Sequence, residues 1–315
     1  MPGVRQALTA LKGLAEAGAV LTALFSVATV FDNLHQYLEL FSHFRLQYLA
    51  VAVLLLTFFA LVRSRRYLLL MAAVAILNAW YVVPWYLPQA DTARSSQSFT
   101  IVLANVLRSN GEHKKLSALL SAEAPDFVFV QEVTDGWAKH VGLLQAYPYR
   151  HVVPDNGSFG IAVLSRFPLT NVQTVDSPPF GFATIVAATA INGRNITFTT
   201  THPMPPLGRI GYDGRNEQLA HIAELVNAQS GPRLLIGDLN TSMWGANYRR
   251  LVSATGLRNA RSGFGVLPTW PTHIPIAYIP IDHCLISPEL EVISIRTGPN
   301  IGSDHLPLIV TLSLN

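Results

Sequence analysis

Three apolar runs crowd the first 90 residues and limit what the chain can become. Between Lys12 and Asp32 lie 19 residues with a single charge, Glu16; Leu46 to Val62 is an uncharged run of 17, and Tyr67 to Ala90 an uncharged run of 24. A helix needs about 20 apolar residues to cross the hydrocarbon core of a bilayer. A soluble helical bundle would carry a polar stripe on each helix, and these runs carry none. They predict a membrane anchor of about three transmembrane helices over residues 1–90. Trp80, Tyr81, Trp85 and Tyr86, with Pro84 and Pro88, suit the interfacial end of the third. The first run has the basic start of a signal peptide. No small-x-small cleavage site follows it and two further spans do, so it reads as a retained anchor.

The charges sort by position. The chain has 315 residues, 50% hydrophobic and only 13% charged, with a net charge of +3. Residues 1–94 hold 7 basic and 4 acidic residues, which is the entire excess; the rest holds 15 of each. A binder of polymeric nucleic acid concentrates Lys and Arg on its binding domain, so a neutral C-terminal part does not favour that partner. Arg5 and Lys12 precede the first run, and Arg63, Arg65 and Arg66 separate the second from the third. The Asp32–Arg45 loop has one basic and two acidic residues. The positive-inside rule then places the N-terminus and the Arg63–Arg66 loop in the cytoplasm and everything after Ala90 outside. Cys284 is the only cysteine, which excludes a disulfide framework and a zinc ribbon. It reads as a core thiol.

Residues 91–98 are small and polar, as a linker should be. From residue 99 the pattern changes to short apolar strands with helices between some of them. Phe99–Asn105, Asp126–Val130, Gly160–Leu164, Arg233–Ile236, Ile281–Ile286 and Leu308–Leu314 read as strands. Thr184–Ala190 and Asn195–Thr201 read as a hairpin around Asn192-Gly193. Glu112–Glu123 and Asn216–Gln229 read as helices, and Pro203–Gly214 as a Pro- and Gly-rich loop. This mixture predicts an α+β layered sandwich.

Several strands close on a carboxylate, amide or histidine: Asn105, Glu132, His202, Asp238 with Asn240, Asp282 with His283, and Asp304 with His305. Rigid strand ends gather side chains from distant parts of a chain into one site. Hard oxygen donors without cysteine suit Mg²⁺, with Mn²⁺ as the alternative, rather than zinc. The histidines at positions 35, 43, 113, 140, 151, 221 and 273 show no ligand spacing and read as surface or core.

The strings DFVFVQEV, THPMPP, LLIGDLNT, PIDHCLIS and GSDHLPL follow one another in order across residues 99–315. Together they resemble the endonuclease/exonuclease/phosphatase superfamily with the deoxyribonuclease-I-like fold. The helical N-terminal region lies outside that likeness. The combination looks like a bacterial membrane-anchored branch (VanJ-like, of glycopeptide-resistance type). The resemblance implies a four-layer α/β/β/α sandwich and metal-assisted hydrolysis of phosphate esters by water. It implies metal binding by Glu132, with Asn105 and Asp304 beside it. Leu107 stands where some members have a second acidic or amide ligand. It implies that Asp238 orients or deprotonates the water, that Asn240 donates to a phosphate oxygen, and that His305, held by Asp282, contacts the scissile phosphate. His202 is similar to a second phosphate-contacting group. His283 reads as scaffold, and Arg215 as a binder of a further phosphate at the pocket entrance. Asp238 and Asn240 are expected to alternate along an extended segment and point to one side.

The superfamily's fold does not choose among nucleic acid, inositol phosphate and lipid substrates. A linker of about ten residues reaches at most ~35 Å. Tethering and neutrality favour a lipid-linked phosphate or pyrophosphate at a bacterial cell membrane, with the catalytic domain extracytoplasmic. A nuclease is the alternative within the same chemistry. A non-catalytic membrane adaptor is the alternative from another class; the retention of Glu132, Asp238, Asn240, Asp282 and His305 argues against it.

Overall fold

The computed structural model describes residues 2–88, 98–191 and 193–314. The predicted 91–98 linker and the Asn192 position of the hairpin turn therefore lie almost wholly outside the described residues.

The N-terminal part is helical: α1 (Pro2–Ala28), the short α2 (Gln36–Ser42), α3 (Arg45–Leu61) and α4 (Arg65–Val82), which a 3-10 turn extends to Tyr86. Two stretches, Gln6–Phe31 and Arg65–Tyr86, are each long and apolar enough to cross a membrane; α2 and α3, bent by 61° at their junction, make a third as a pair. Ala19, Ala52, Phe59, Met71 and Val74 form the small core where α1, α3 and α4 meet. Many large apolar side chains on these helices, such as Leu14, Leu54, Leu69 and Ile76, are exposed, the inverse of a water-soluble helix.

The remainder alternates strands and helices: β1 (Ser98–Asn105), α5 (His113–Glu123), β2 (Phe127–Gln131), α6 (Asp135–Gly142), β3 (Tyr149–Val153), β4 (Ile161–Ser165), β5 (Leu169–Ser177), β6 (Phe182–Ile191) and β7 (Arg194–Thr201). Then come α7 (Gly208–Asn227), β8 (Arg233–Asp238), α8 (Ala246–Thr255), β9 (Arg258–Asn259), β10 (Asp282–Ile286), β11 (Leu290–Thr297) and β12 (Leu308–Leu314). Two six-stranded sheets result, ordered β11-β12-β1-β2-β4-β3 and β5-β6-β7-β8-β10-β9. Each contains one parallel pair, β1 with β2 and β7 with β8, in an otherwise antiparallel frame.

Alternation along each strand sends one set of side chains between the sheets. Phe99, Ile101, Phe127, Phe129 and Val163 of the first meet Ile185, Phe198, Leu234, Ile236 and Cys284 of the second. The other face of the first sheet is covered by α5 and α6 through Leu116, Leu120, Trp137 and Val141. The other face of the second is covered by α7 and α8 through Leu219, Ile222, Tyr248 and Leu251. The four-layer α/β/β/α sandwich expected from the sequence is the fold. Burial pushes the Cys284 thiol up to about 12, which keeps it an inert core group.

Helix α7 begins at Gly208, eight residues before the predicted Asn216. Gly211 and Gly214 disguise its first turns in the sequence, because glycine is a poor helix former. Both are needed for close packing: a Cβ at Gly211 would strike the Pro205 carbonyl, and one at Gly214 the Phe180 ring.

The helical region is not detached from the sandwich. Val82 is part of the core of α7, α8 and β8, with Leu46, Leu49, Tyr81 and Trp85 against it. The Tyr81 carbonyl accepts from Trp244 Nε1 at 2.9 Å, and the Trp85 carbonyl from the amides of Gly263 and Gly265. Asp32 holds both outer nitrogens of Arg249 at 2.9 and 3.0 Å. Gln47 donates to the Tyr278 carbonyl at 2.7 Å. All of these contacts lie at the helix ends away from the Arg63–Arg66 turn.

Candidate active site

The parallel pairing β1–β2 and β7–β8 brings the C-terminal ends of four strands to one edge of the sandwich. Asn105 closes β1, Glu132 follows β2, His202 follows β7 and Asp238 closes β8. Asp282 opens antiparallel β10 directly opposite Asp238. Asp304 and His305 sit just before β12.

Asp238 stands at the centre. Its Oδ2 lies 3.5 Å from His202 Nε2, 3.6 Å from His305 Nε2 and 3.4 Å from the Asn105 amide nitrogen. His305 Nδ1 meets Asp282 Oδ2 at 2.9 Å. Asn105 also donates to Glu132 Oε1 at 3.1 Å, while Glu132 Oε2 accepts the Arg108 amide. All six side chains are buried. Burial alone would lower the His305 pKa, but Asp282 and Asp238 outweigh it and push it up to about 10. For His202, burial again lowers, and Asp238 and Glu132 raise by more, so it too ends above its ordinary value. Burial would raise the Asp282 carboxyl, but His305 more than offsets this and holds it below the usual range.

The backbone is bent into unusual shapes here. Glu132 and Asn240 have φ of 63° and 50°, in the left-handed region. For Glu132, with no special tolerance of that region, such a conformation costs on the order of 1–3 kcal/mol. It turns the carboxylate into the pocket. Asn240 accepts the conformation readily, and its amide N–H donates to Asp238 Oδ1 at 2.8 Å. The segment is thus an Asx turn and not the extended alternation expected from the sequence. The turn still serves the site. One Asn240 side-chain hydrogen goes to the Pro203 carbonyl at 2.9 Å, leaving the other for a ligand.

Arg215 is corrected by its surroundings. It is fully buried, and its donors go to Asn216, to the Asn240 carbonyl at 2.9 Å and to Glu39 of α2 at 2.7 Å. It holds the Asn240 turn from behind, each of its three nitrogens already donates, and its full burial closes it to a phosphate at the entrance. His283 is buried neutral scaffold, as expected; burial first and Arg261 second push it down to about 3.

Five contributors were not singled out in the sequence. Gln131 stitches the two sheets, accepting the Asp238 amide at 2.8 Å and donating to the Thr201 carbonyl. Gly237 leaves room for it, since a Cβ there would strike Thr201 O and Gln131 Nε2. Trp270 donates to Asp304 Oδ2 at 3.0 Å. Glu39 accepts from Arg215, Asn247 and Thr241. His43 packs its Nδ1 against Ser242. No local signal pointed to Glu39, which shares the loop between the first two apolar runs with Asp32 and Arg45.

The side chains enclose a cavity of about 290 Å³. Its polar floor is Glu132, His202, Asp238, Asn240, Asp304 and His305, and its apolar wall includes Leu40, Pro206, Leu207, Trp270, Ile279 and Ile281. Asp238, Asp282 and His305 offer ligand atoms within 4.8 Å of one another, although the His305–Asp282 hydrogen bond already engages one of them. Glu132 and Asp304 add two more carboxylates in the same cavity. Four carboxylates with only two histidines as cationic partners, all hard donors, fit a divalent cation.

The sequence and the fold both have relatives. Residues 98–305 match the model of the Endonuclease/Exonuclease/phosphatase family. The chain belongs to this family. Its members hydrolyse phosphoester bonds and are generally dependent on divalent metal. Among solved structures, D. rerio TDP2 complexed with single strand DNA product superposes with a TM-score of 0.61 at 16% identity, over 70% of this chain and 100% of that one. An endonuclease/exonuclease/phosphatase from Beutenbergia cavernae gives 0.58 at 19%, over 70% and 72%. The human Nocturnin catalytic domain with bound sulfate anion gives 0.57 at 18%, over 71% and 96%. No curated protein matches the sequence. At these identities the structural likeness concerns the fold.

Proposed function

We propose that this family member is a membrane-anchored, metal-dependent phosphoesterase whose substrate carries its phosphodiester or pyrophosphate on an apolar chain. One observation carries the reading: the cavity joins a charged floor to an apolar wall, and Leu40 of that wall comes from the helical N-terminal region. A nucleic acid needs a cationic groove along its backbone, whereas here the open side is greasy. Leu207 of this wall is exposed, as are Ile210 in the first turn of α7, Ile274 and Ile276 shortly before Ile279 in sequence, and Leu34 and Tyr37 at the start of α2. Three spans, with Arg63–Arg66 in the cytoplasm, would set this rim against the outer bilayer surface of a bacterial cell membrane.

A divalent ion held by Glu132, with Asn105 and Asp304 beside it, would neutralise phosphate charge and polarise the scissile bond. The metal-facing preference is Mg²⁺, with Mn²⁺ able to replace it. Asp238 takes the proton of the attacking water, held between two imidazoles that stabilise its charge. His305, kept protonated by Asp282, donates to a phosphoryl oxygen as negative charge builds. His202 and the free Asn240 hydrogen complete the set of donors.

The nuclease reading rests on a DNA-bound structural neighbour. The two are separated by offering the purified full chain, with Mg²⁺, a polyprenyl pyrophosphate and single-stranded DNA side by side, with Asp238→Ala as control. Phosphate release from the lipid by wild type alone supports the proposal. Cleaved DNA with untouched lipid reverses it, and release from neither removes the enzymatic reading. A reporter fused after Asn315 should be active only outside the cytoplasm.

A further inference from the structure

His43 lies in the joint between α2 and α3, far in sequence from every residue of the catalytic sandwich. Its side chain is buried and yet lines the cavity that holds Asp238 and His305. Its Nδ1 receives the Ser242 backbone amide at 3.3 Å and lies 2.8 Å from the Ser242 hydroxyl. A backbone N–H can only donate, so Nδ1 presents a lone pair. The ring is therefore neutral, and its one proton sits on Nε2. Nε2 makes no hydrogen bond to any described residue; both hydrogen bonds of this ring fall on Nδ1. On a side chain that lines the cavity, an Nε2–H with no partner among the described residues is free to donate to whatever the cavity binds.

The joint is rigidly held. Glu39, one turn earlier, is locked by Arg215, Asn247 and Thr241. A Cβ on Gly245 would run into Glu39 Oε1 and Thr241 Oγ1, so the Glu39 carboxylate packs directly on the Gly245 backbone. His43 is thus presented by a fixed frame, and the acceptor it meets is whatever the floor of the cavity binds.

We propose that His43 is a substrate-contacting residue, donating Nε2–H to a non-bridging phosphoryl oxygen, and that the active site is completed by the segment between the first two long helices. This rests on the reading of the cavity as a phosphate site. It extends the donor set beyond the sandwich itself. It also assigns the helical region a part in recognition in addition to anchoring.

The test exploits the geometry of two amides. Asparagine at this position places its oxygen where Nδ1 was and keeps the Ser242 contact, but has nothing at the Nε2 position. Glutamine reaches the Nε2 position and restores a donor, but gives up Ser242. Full-length wild type, His43→Asn and His43→Gln are purified in detergent, and binding of inorganic phosphate is measured by calorimetry with Mg²⁺ present. Thermal unfolding of each and hydrolysis of bis(4-nitrophenyl) phosphate are measured alongside. A hydrogen bond to a charged group predicts that His43→Asn weakens phosphate binding by about tenfold to a hundredfold. His43→Gln should stay within a few-fold of wild type. Wild-type affinity in His43→Asn, equal weakening in both variants, or no phosphate binding by wild type overturns the proposal. Phosphate binding that follows this pattern without hydrolysis of any ester would instead overturn the enzymatic reading and leave His43 as a phosphate ligand.

Discussion

Glu39 and Arg215 form an ion pair of 2.7 Å between two side chains that are each almost fully buried, 1% and 0% exposed, across 176 residues of sequence. The pair ties α2 to α7, and through the Asn240 carbonyl it reaches the catalytic turn. Burial lowers the Arg215 pKa and Glu39 opposes this, so the cation depends on its partner. Breaking a buried pair leaves an uncompensated charge, which typically costs about 3–5 kcal/mol.

Glu39→Gln should therefore destabilise the whole protein by an amount in that range and misplace Asn240. Replacing both partners, as Glu39→Met with Arg215→Leu, should recover much of the stability, since an apolar pair of similar volume avoids desolvation altogether. Turnover should stay low in the double variant, because the Asn240 carbonyl still lacks its donor. Thermal unfolding of the three proteins in one detergent provides the check; a Glu39→Gln variant as stable as wild type would contradict it.

Asp238→Asn should leave the fold intact and remove turnover. The amide is the same size and can still accept the Asn240 N–H, but it takes no proton from water. General-base catalysis typically contributes about 10²–10⁴ in rate, and kcat should fall by at least that much with little change in melting temperature. Retention of more than about a tenth of wild-type kcat would remove Asp238 from the role of base.

The pH profile should report the His305–Asp282 pair. Burial lowers the His305 pKa, and Asp282 and Asp238 outweigh it, raising it to about 10. A histidine raised in the folded state contributes stability that is complete below the unfolded value of about 6.5 and is lost as pH rises through about 10. The same proton is the donor to phosphate, so kcat/KM should fall on the alkaline side. Asp282→Asn removes a close opposite charge, and the alkaline limb should move down by about one pH unit or more. An unmoved limb would mean that another group titrates there.

Metal binding should be visible without turnover. A ligand that binds only the folded state stabilises it by about 2.7 kcal/mol at a hundred times its dissociation constant. Mg²⁺ or Mn²⁺ should raise the wild-type melting temperature, and EDTA should reverse the rise. Glu132→Gln, with one hard donor weakened, should show much less of it. An equal rise in both proteins would place the ion elsewhere.

The floor of the site was legible because each polar residue terminates an apolar strand, and strand ends are a local pattern. The four layers followed from the same runs. The Asn240 turn was misjudged because Gly-Asp-Leu-Asn is compatible with both an extended chain and an Asx turn; the left-handed φ is set by the Arg215 and Pro203 contacts around it. Arg215 itself looked free at the head of a predicted helix. Its partner lies in a region that reads only as membrane anchor, and nothing local in either segment signals the pairing. His43 was hidden for the same reason, since its role arises entirely from docking against Ser242.

The interlock of α2 with the catalytic turn makes this chain a poor donor of spare parts. A catalytic segment excised from it would carry Arg215 as a stranded cation, and the helical region of a relative could be grafted on only if it presented an acidic group where Glu39 stands. Positions 39 and 215 should therefore change together wherever this architecture has diverged, so that a lone Arg215 in a relative marks a helical region that docks in another way.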